Sequence, residues 1–148
     1  MMMSTAVQYL HSGWAYLVLI MLFIAITNAI FGLIGKRPFE FRDFRINLFA
    51  LIVTHLQILI GLILFFVSPM VQWFNSGFDK SLIMKDSTLR LVNMEHPLMM
   101  IIGIVLITIG FSRHKKKDDA KFKFRTILIF YGIGLILILG RIPWSLWF

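Results

Sequence analysis

Four apolar runs, roughly residues 7–34, 46–67, 98–111 and 126–139, constrain this chain more than any other feature. A helix needs about 20 residues to cross the hydrocarbon core of a bilayer. The first two runs reach that length unaided. The third reaches it by taking 93–97 as its first turn, and the fourth by including 140–143. Spans of roughly 7–34, 46–68, 93–112 and 125–143 then use nearly the whole chain as a single membrane domain, 1–148, with no room for a soluble one. Backbone groups in lipid must be satisfied within their own segment, so four runs mean four helices. The expected fold is all-α, an antiparallel four-helix transmembrane bundle. The composition agrees: 59% of residues are hydrophobic, against about 45–50% in soluble domains.

Charge sets the expected orientation. Residues 36–45 hold four Lys or Arg and residues 113–125 hold seven, while the N-terminal tail holds none. Basic loops stay in the cytoplasm, so these two loops are expected inside and both termini outside. Trp14, Trp73, Trp144 and Trp147 then fall at outer span ends, where indole rings prefer to sit. Residues 1–8 lack a positive region and no small-residue cleavage site follows, so no signal peptide is expected. The net charge of +8 is therefore loop charge rather than a nucleic-acid signal, and the basic run KKKDDAKFKFR suits anionic lipid. With no cysteine, thiolate metal sites, iron–sulfur clusters and covalent haem attachment are excluded.

Small residues let membrane helices approach closely. Stripes at spacings of three and four run through His11, Ala15, Val18, Leu22, Ala25, Ala29 and Gly32, and through Asn47, Ala50, Thr54, Gln57 and Gly61. His96, Gly103 and Gly110 form a third, and Tyr131, Gly134, Ile138 and Arg141 a fourth. His11, Gln57, His96 and Arg141 are thus expected inside the bundle. Asn93 is the expected N-cap of the third helix, with Glu95 and Pro97 in its first turn. His114 is expected in a basic loop. His55 lies more than about 100° off its stripe, so it must meet a second neighbouring helix, a cofactor or another protein. Counted from the nearest basic loop, His96 and Arg141 lie roughly 25 Å in, near Glu95 and His11, whereas His55 lies roughly 15 Å in.

Ionisable groups inside a membrane mark function. The chemistry that most often asks for several histidines and an arginine in four helices is b-type haem, with two imidazoles on the iron and a cation at the propionates. The candidates are His55 and His96 as iron ligands, His11 as the alternative ligand, Arg141 at the propionates, and Gly61 and Gly103 as room for the macrocycle. The stretches THLQILIG (54–61), EHPLMMIIG (95–103) and RIPW (141–144) resemble the small four-span, cytochrome b-like proteins of bacterial inner membranes. The His-x-Gln pattern followed by glycine is also similar to the haem-carrying units of the haem A synthase type. The resemblance implies a haem b electron carrier in a bacterial inner membrane. Its partners would be the lipid bilayer and quinol or other membrane subunits, and a homo-oligomer is left open. It implies at most one bis-histidine haem here, because only three histidines fall in the spans.

Two other readings stand beside it. One is a non-catalytic accessory or assembly subunit of a larger membrane complex, with His55 facing its partner. The other is an outer-side divalent-metal or proton-responsive site of His11, Glu95 and His96, since imidazoles with a carboxylate suit zinc. His55 bonded to Asn28 or Thr27, and Glu95 paired with Arg141, are the purely structural roles. No nucleophile–base pair or phosphate loop appears, so hydrolases and kinases have no support.

Overall fold

The computed structural model describes residues 2–147, with no strand among the described residues. Helix α1 spans Met2–Ile34 and α2 spans Phe41–Val67. Two short helices follow, α3 at Ser81–Lys85 and α4 at Ser87–Arg90. A π-helical turn, Leu91–Glu95, joins α4 to α5, His96–His114. Helix α6 covers Ala120–Gly140, and a 3-10 turn at Trp144–Leu146 follows it.

Four segments are long and apolar enough to cross a membrane: Met3–Ile34, Phe41–Val67, Ser87–His114 and Ala120–Gly140. Their surfaces agree. Phe23, Phe31, Phe66 and Ile136 are each at least 65% exposed. A soluble monomer rarely exposes so much continuous apolar surface, whereas lipid is a natural solvent for it. The chain is a multi-pass membrane protein.

Helix α1 packs against α2 and α6, and α5 packs against α6 and α2. The core runs along the small-residue stripes. Val18, Leu22, Ala25 and Ala29 of α1 meet Ala50 and Val53 of α2, Ile107 and Phe111 of α5, and Phe124, Ile127 and Tyr131 of α6. Glycine is needed where α5 crosses α6, since a Cβ on Gly134 would lie 3.1 Å from the Gly103 carbonyl oxygen. Contacts between α1 and α2 run in reversed chain order. His11 lies by Gly61, the Trp14 indole donates to the Val53 carbonyl at 2.9 Å, and Asn28 donates to Asp43 at 2.9 Å.

Three expectations change. Asn93 is not an N-cap: Asp86 caps α4 by accepting the Leu89 N–H at 2.8 Å, and Asn93 sits inside the π-helical turn. The third span therefore starts near Ser87. His114 is not in a loop but in the last turn of α5, 1% exposed among Phe39, Phe44 and Phe111. It extends the α5 stripe by one turn beyond Gly110. Arg141 is not turned inward. Its side chain is 50% exposed, because α6 has already ended at Gly140.

Candidate histidine pair at the membrane end

The site begins with Pro97, which has no N–H and crowds the carbonyl four residues back. The chain widens locally into a π turn, in which the His96 N–H reaches back to the Leu91 carbonyl. The Asn93 carbonyl, which Pro97 cannot use, accepts the Trp73 indole N–H at 2.9 Å. The Asn93 side chain accepts the Gln72 N–H at 2.7 Å and donates to the Met70 and Leu89 carbonyls. These bonds tie the segment after α2 to the start of α5 and fix where His96 points.

His96 Nδ1 donates to the Arg141 carbonyl at 2.8 Å. A ring nitrogen facing a carbonyl must carry the proton, so in the neutral ring Nε2 keeps its lone pair. This arrangement orients metal-binding histidines in general. The Arg141 guanidinium turns the other way, with Nε 3.3 Å from Glu95 Oε2. Arg90 Nε donates to Glu95 Oε1 at 2.8 Å. The backbone of Arg141, rather than its charge, thus faces the histidine.

The partner of His96 is His11. Their ring centroids are 6.1 Å apart and the rings are nearly perpendicular, at 83°. His11 Nδ1 is buried with no hydrogen-bond partner among the described residues. Gln57 donates to the His11 carbonyl at 2.9 Å, while its own Oε1 is buried with no partner among the described residues. Gly61 makes this approach possible, since a Cβ there would sit 3.1 Å from His11 Cε1. Beside the pair lies a cavity of about 380 Å³, lined by His11, Gln57, Gly61 and His96 and otherwise largely by apolar side chains. That volume falls within the range of small-molecule and cofactor sites.

The C-terminal turn closes this end. Ser12 donates to the Trp147 carbonyl at 2.6 Å and Gln8 to the Leu146 carbonyl at 3.3 Å. Nothing in the sequence singles out Ser12 or Gln8, because the fold-back after Pro143 brings them there.

The structure brings together His11, His96 and Gly61, but not His55 or Gly103. His55 Nδ1 donates to the Leu51 carbonyl at 2.8 Å, and its Nε2 faces the Thr108 hydroxyl at 3.4 Å. Thr108 lies twelve positions beyond His96, about 18 Å along α5. His55 therefore meets a second neighbouring helix rather than Asn28, which is bonded to Asp43. Gly103 belongs to the α5–α6 crossing, facing Ile138 and Gly134.

The donor set can be weighed against two metals. No three His, Cys, Asp or Glu side chains group for a metal among the described residues, and Glu95 is committed to two arginines. Zinc asks the protein for three or four ligands. Haem iron asks for two at most, since the macrocycle supplies the rest. His11 and His96 would be the two residues to hold a haem iron, whose one-electron chemistry the macrocycle would supply. No family model, curated protein or solved structure matches the chain.

Proposed function

We propose that this chain is a b-type cytochrome-like membrane protein that holds one haem b with His11 and His96, for electron transfer. The observation that carries the reading is the His11–His96 pair, 6.1 Å between ring centroids, beside a largely apolar cavity. When bound, haem supplies reversible one-electron chemistry. The protein's residues do the rest. The Arg141 carbonyl holds His96 in the tautomer that leaves Nε2 free. Gln57 fixes the backbone at His11, and Gly61 leaves its ring room. Arg90 and Arg141 together outweigh Glu95 by one positive charge at this rim, which favours the anionic edge of a haem.

The four helices are read as an antiparallel bundle with both termini outside and the basic ends in the cytoplasm, in a bacterial inner membrane. Quinol or another membrane subunit would exchange electrons with the histidine end. The accessory-subunit reading loses its pointer to a partner, because His55 finds Thr108 within its own chain.

Purification in mild detergent from haem-replete cells, followed by a pyridine haemochromogen assay, tests the reading. The expected result is close to one haem b per chain, with a b-type α band on reduction. A colourless protein contradicts it.

A further inference from the structure

At the opposite end of the bundle, a shallow groove lies between α1 and the first turns of α2, lined by Met21, Phe41, Arg42, Arg45, Ile46 and Phe49. Its two cations are three residues apart on one helix, so they share a face. Both are exposed, and neither makes an ion pair or hydrogen bond within the described residues. Of the two nearby carboxylates, Asp43 is turned into the bundle, fully buried against Arg37 and Asn28, and the exposed Glu40 precedes the helix outside the groove lining. Arg45 is held at the rim by Phe41, its guanidinium carbon 5.9 Å from the ring centroid. No carboxylate lines the groove. Two free guanidinium forks thus stand at the end of an apolar wall whose Phe41 and Phe49 are 73% and 48% exposed.

We infer that this groove binds one anionic phospholipid, its phosphate between Arg42 and Arg45 and an acyl chain along Met21, Ile46 and Phe49. Planar guanidinium groups pair with phosphate oxygens through two parallel N–H bonds. The wall supplies what a free phosphate would not use. On the orientation proposed above, the groove faces the leaflet in which anionic lipids attract basic side chains. The site does not depend on the haem reading.

The test is native mass spectrometry of the full-length protein, delipidated in neutral detergent and titrated with phosphatidylglycerol or with phosphatidylcholine of the same chains. One phosphatidylglycerol should bind at least tenfold tighter than phosphatidylcholine. Arg42→Gln with Arg45→Gln should weaken phosphatidylglycerol roughly thirtyfold, at about one kcal/mol per cation, and weaken phosphatidylcholine, whose choline cation already balances its phosphate, much less. Met21→Ser with Phe49→Ser should weaken both lipids. Equal binding of phosphatidylglycerol by the arginine variant and the parent overturns the site. So does displacement of the lipid by an equal concentration of inorganic phosphate or glycerol phosphate, which would make it a headgroup site only. An equal loss from Lys115→Gln with Lys116→Gln and Lys117→Gln also overturns it, as diffuse charge. Should the double glutamine variant not fold, Arg42→Lys with Arg45→Lys keeps the charge and removes the fork. An intermediate loss there supports the site, and no loss overturns it.

Discussion

Asp43 shows how a single residue can hold one end of a membrane bundle. Its side chain has no exposed surface, and four donors point at its two oxygens. Oδ1 accepts from Asn28 and Arg37, and Oδ2 from Arg37 and the Glu40 N–H, all at 2.8–2.9 Å. A buried carboxylate is tolerable only when satisfied in this way. Asp43→Asn keeps the shape but turns a nitrogen donor toward donors, whichever way the amide lies. We expect it to cost about 2–4 kcal/mol of stability, read as a lower unfolding midpoint in detergent. Arg37→Gln should cost at least as much, because it leaves the fully buried Asp43 carboxylate without its counter-ion. Unfolding of Asp43→Asn at the parental midpoint would show that the network is idle. Asn93 plays the equivalent part at the histidine end. Asn93→Ala leaves the part-buried Gln72 N–H without its acceptor and removes two donated bonds, and about 1–3 kcal/mol should be lost.

At the scale of elements, the helix crossings turn on glycine. A Cβ at Gly134 would sit 2.9 Å from Ile107 Cγ1, and one at Gly132 would meet nothing within 4 Å. Gly134→Leu should therefore destabilise the α5–α6 pair by about 1–3 kcal/mol, while Gly132→Ala should be neutral or slightly stabilising. Unfolding midpoints of the two variants separate packing from helix propensity. Equal effects would place the Gly134 contact outside the energetics. These stripes were legible in the sequence because, in lipid, packing faces are written in small residues rather than in polarity. Val18, Leu22, Ala25 and Ala29 are each at most 3% exposed, as their spacing predicts. The ends of the elements were not legible. Residues 87–92 look polar enough for a loop, yet they form helix, and the π turn before Pro97 changes how α5 enters the bundle. His114 seemed to belong to a charged loop because Lys115–Lys117 follow it, although the ring itself is sheathed in phenylalanine. Depth counting placed His11 close to the level shared by His96 and Arg141. It could not show the two histidines as partners, since their approach depends on Gly61 and on the Arg141 carbonyl.

Over the whole molecule, the two ends have different chemistry. One gathers basic side chains and a buried ion pair; the other gathers two histidines, a cavity and the folded-back C-terminal turn. A substitution that spares the histidines yet crowds them separates ligand chemistry from folding. Gly61→Val pushes against His11 and should lower haem content several-fold while far-UV circular dichroism stays parental. Unchanged haem content would mean that the ring is not held there. The most direct measurement is haem content and reduced-minus-oxidised spectra of His11→Ala, His96→Ala and His55→Ala beside the parent. The first two should lose the b-type α band, and His55→Ala should keep it, because its imidazole belongs to Thr108 about 18 Å along α5 from His96. Loss of the band in His55→Ala, with its retention in His11→Ala, would contradict the pairing.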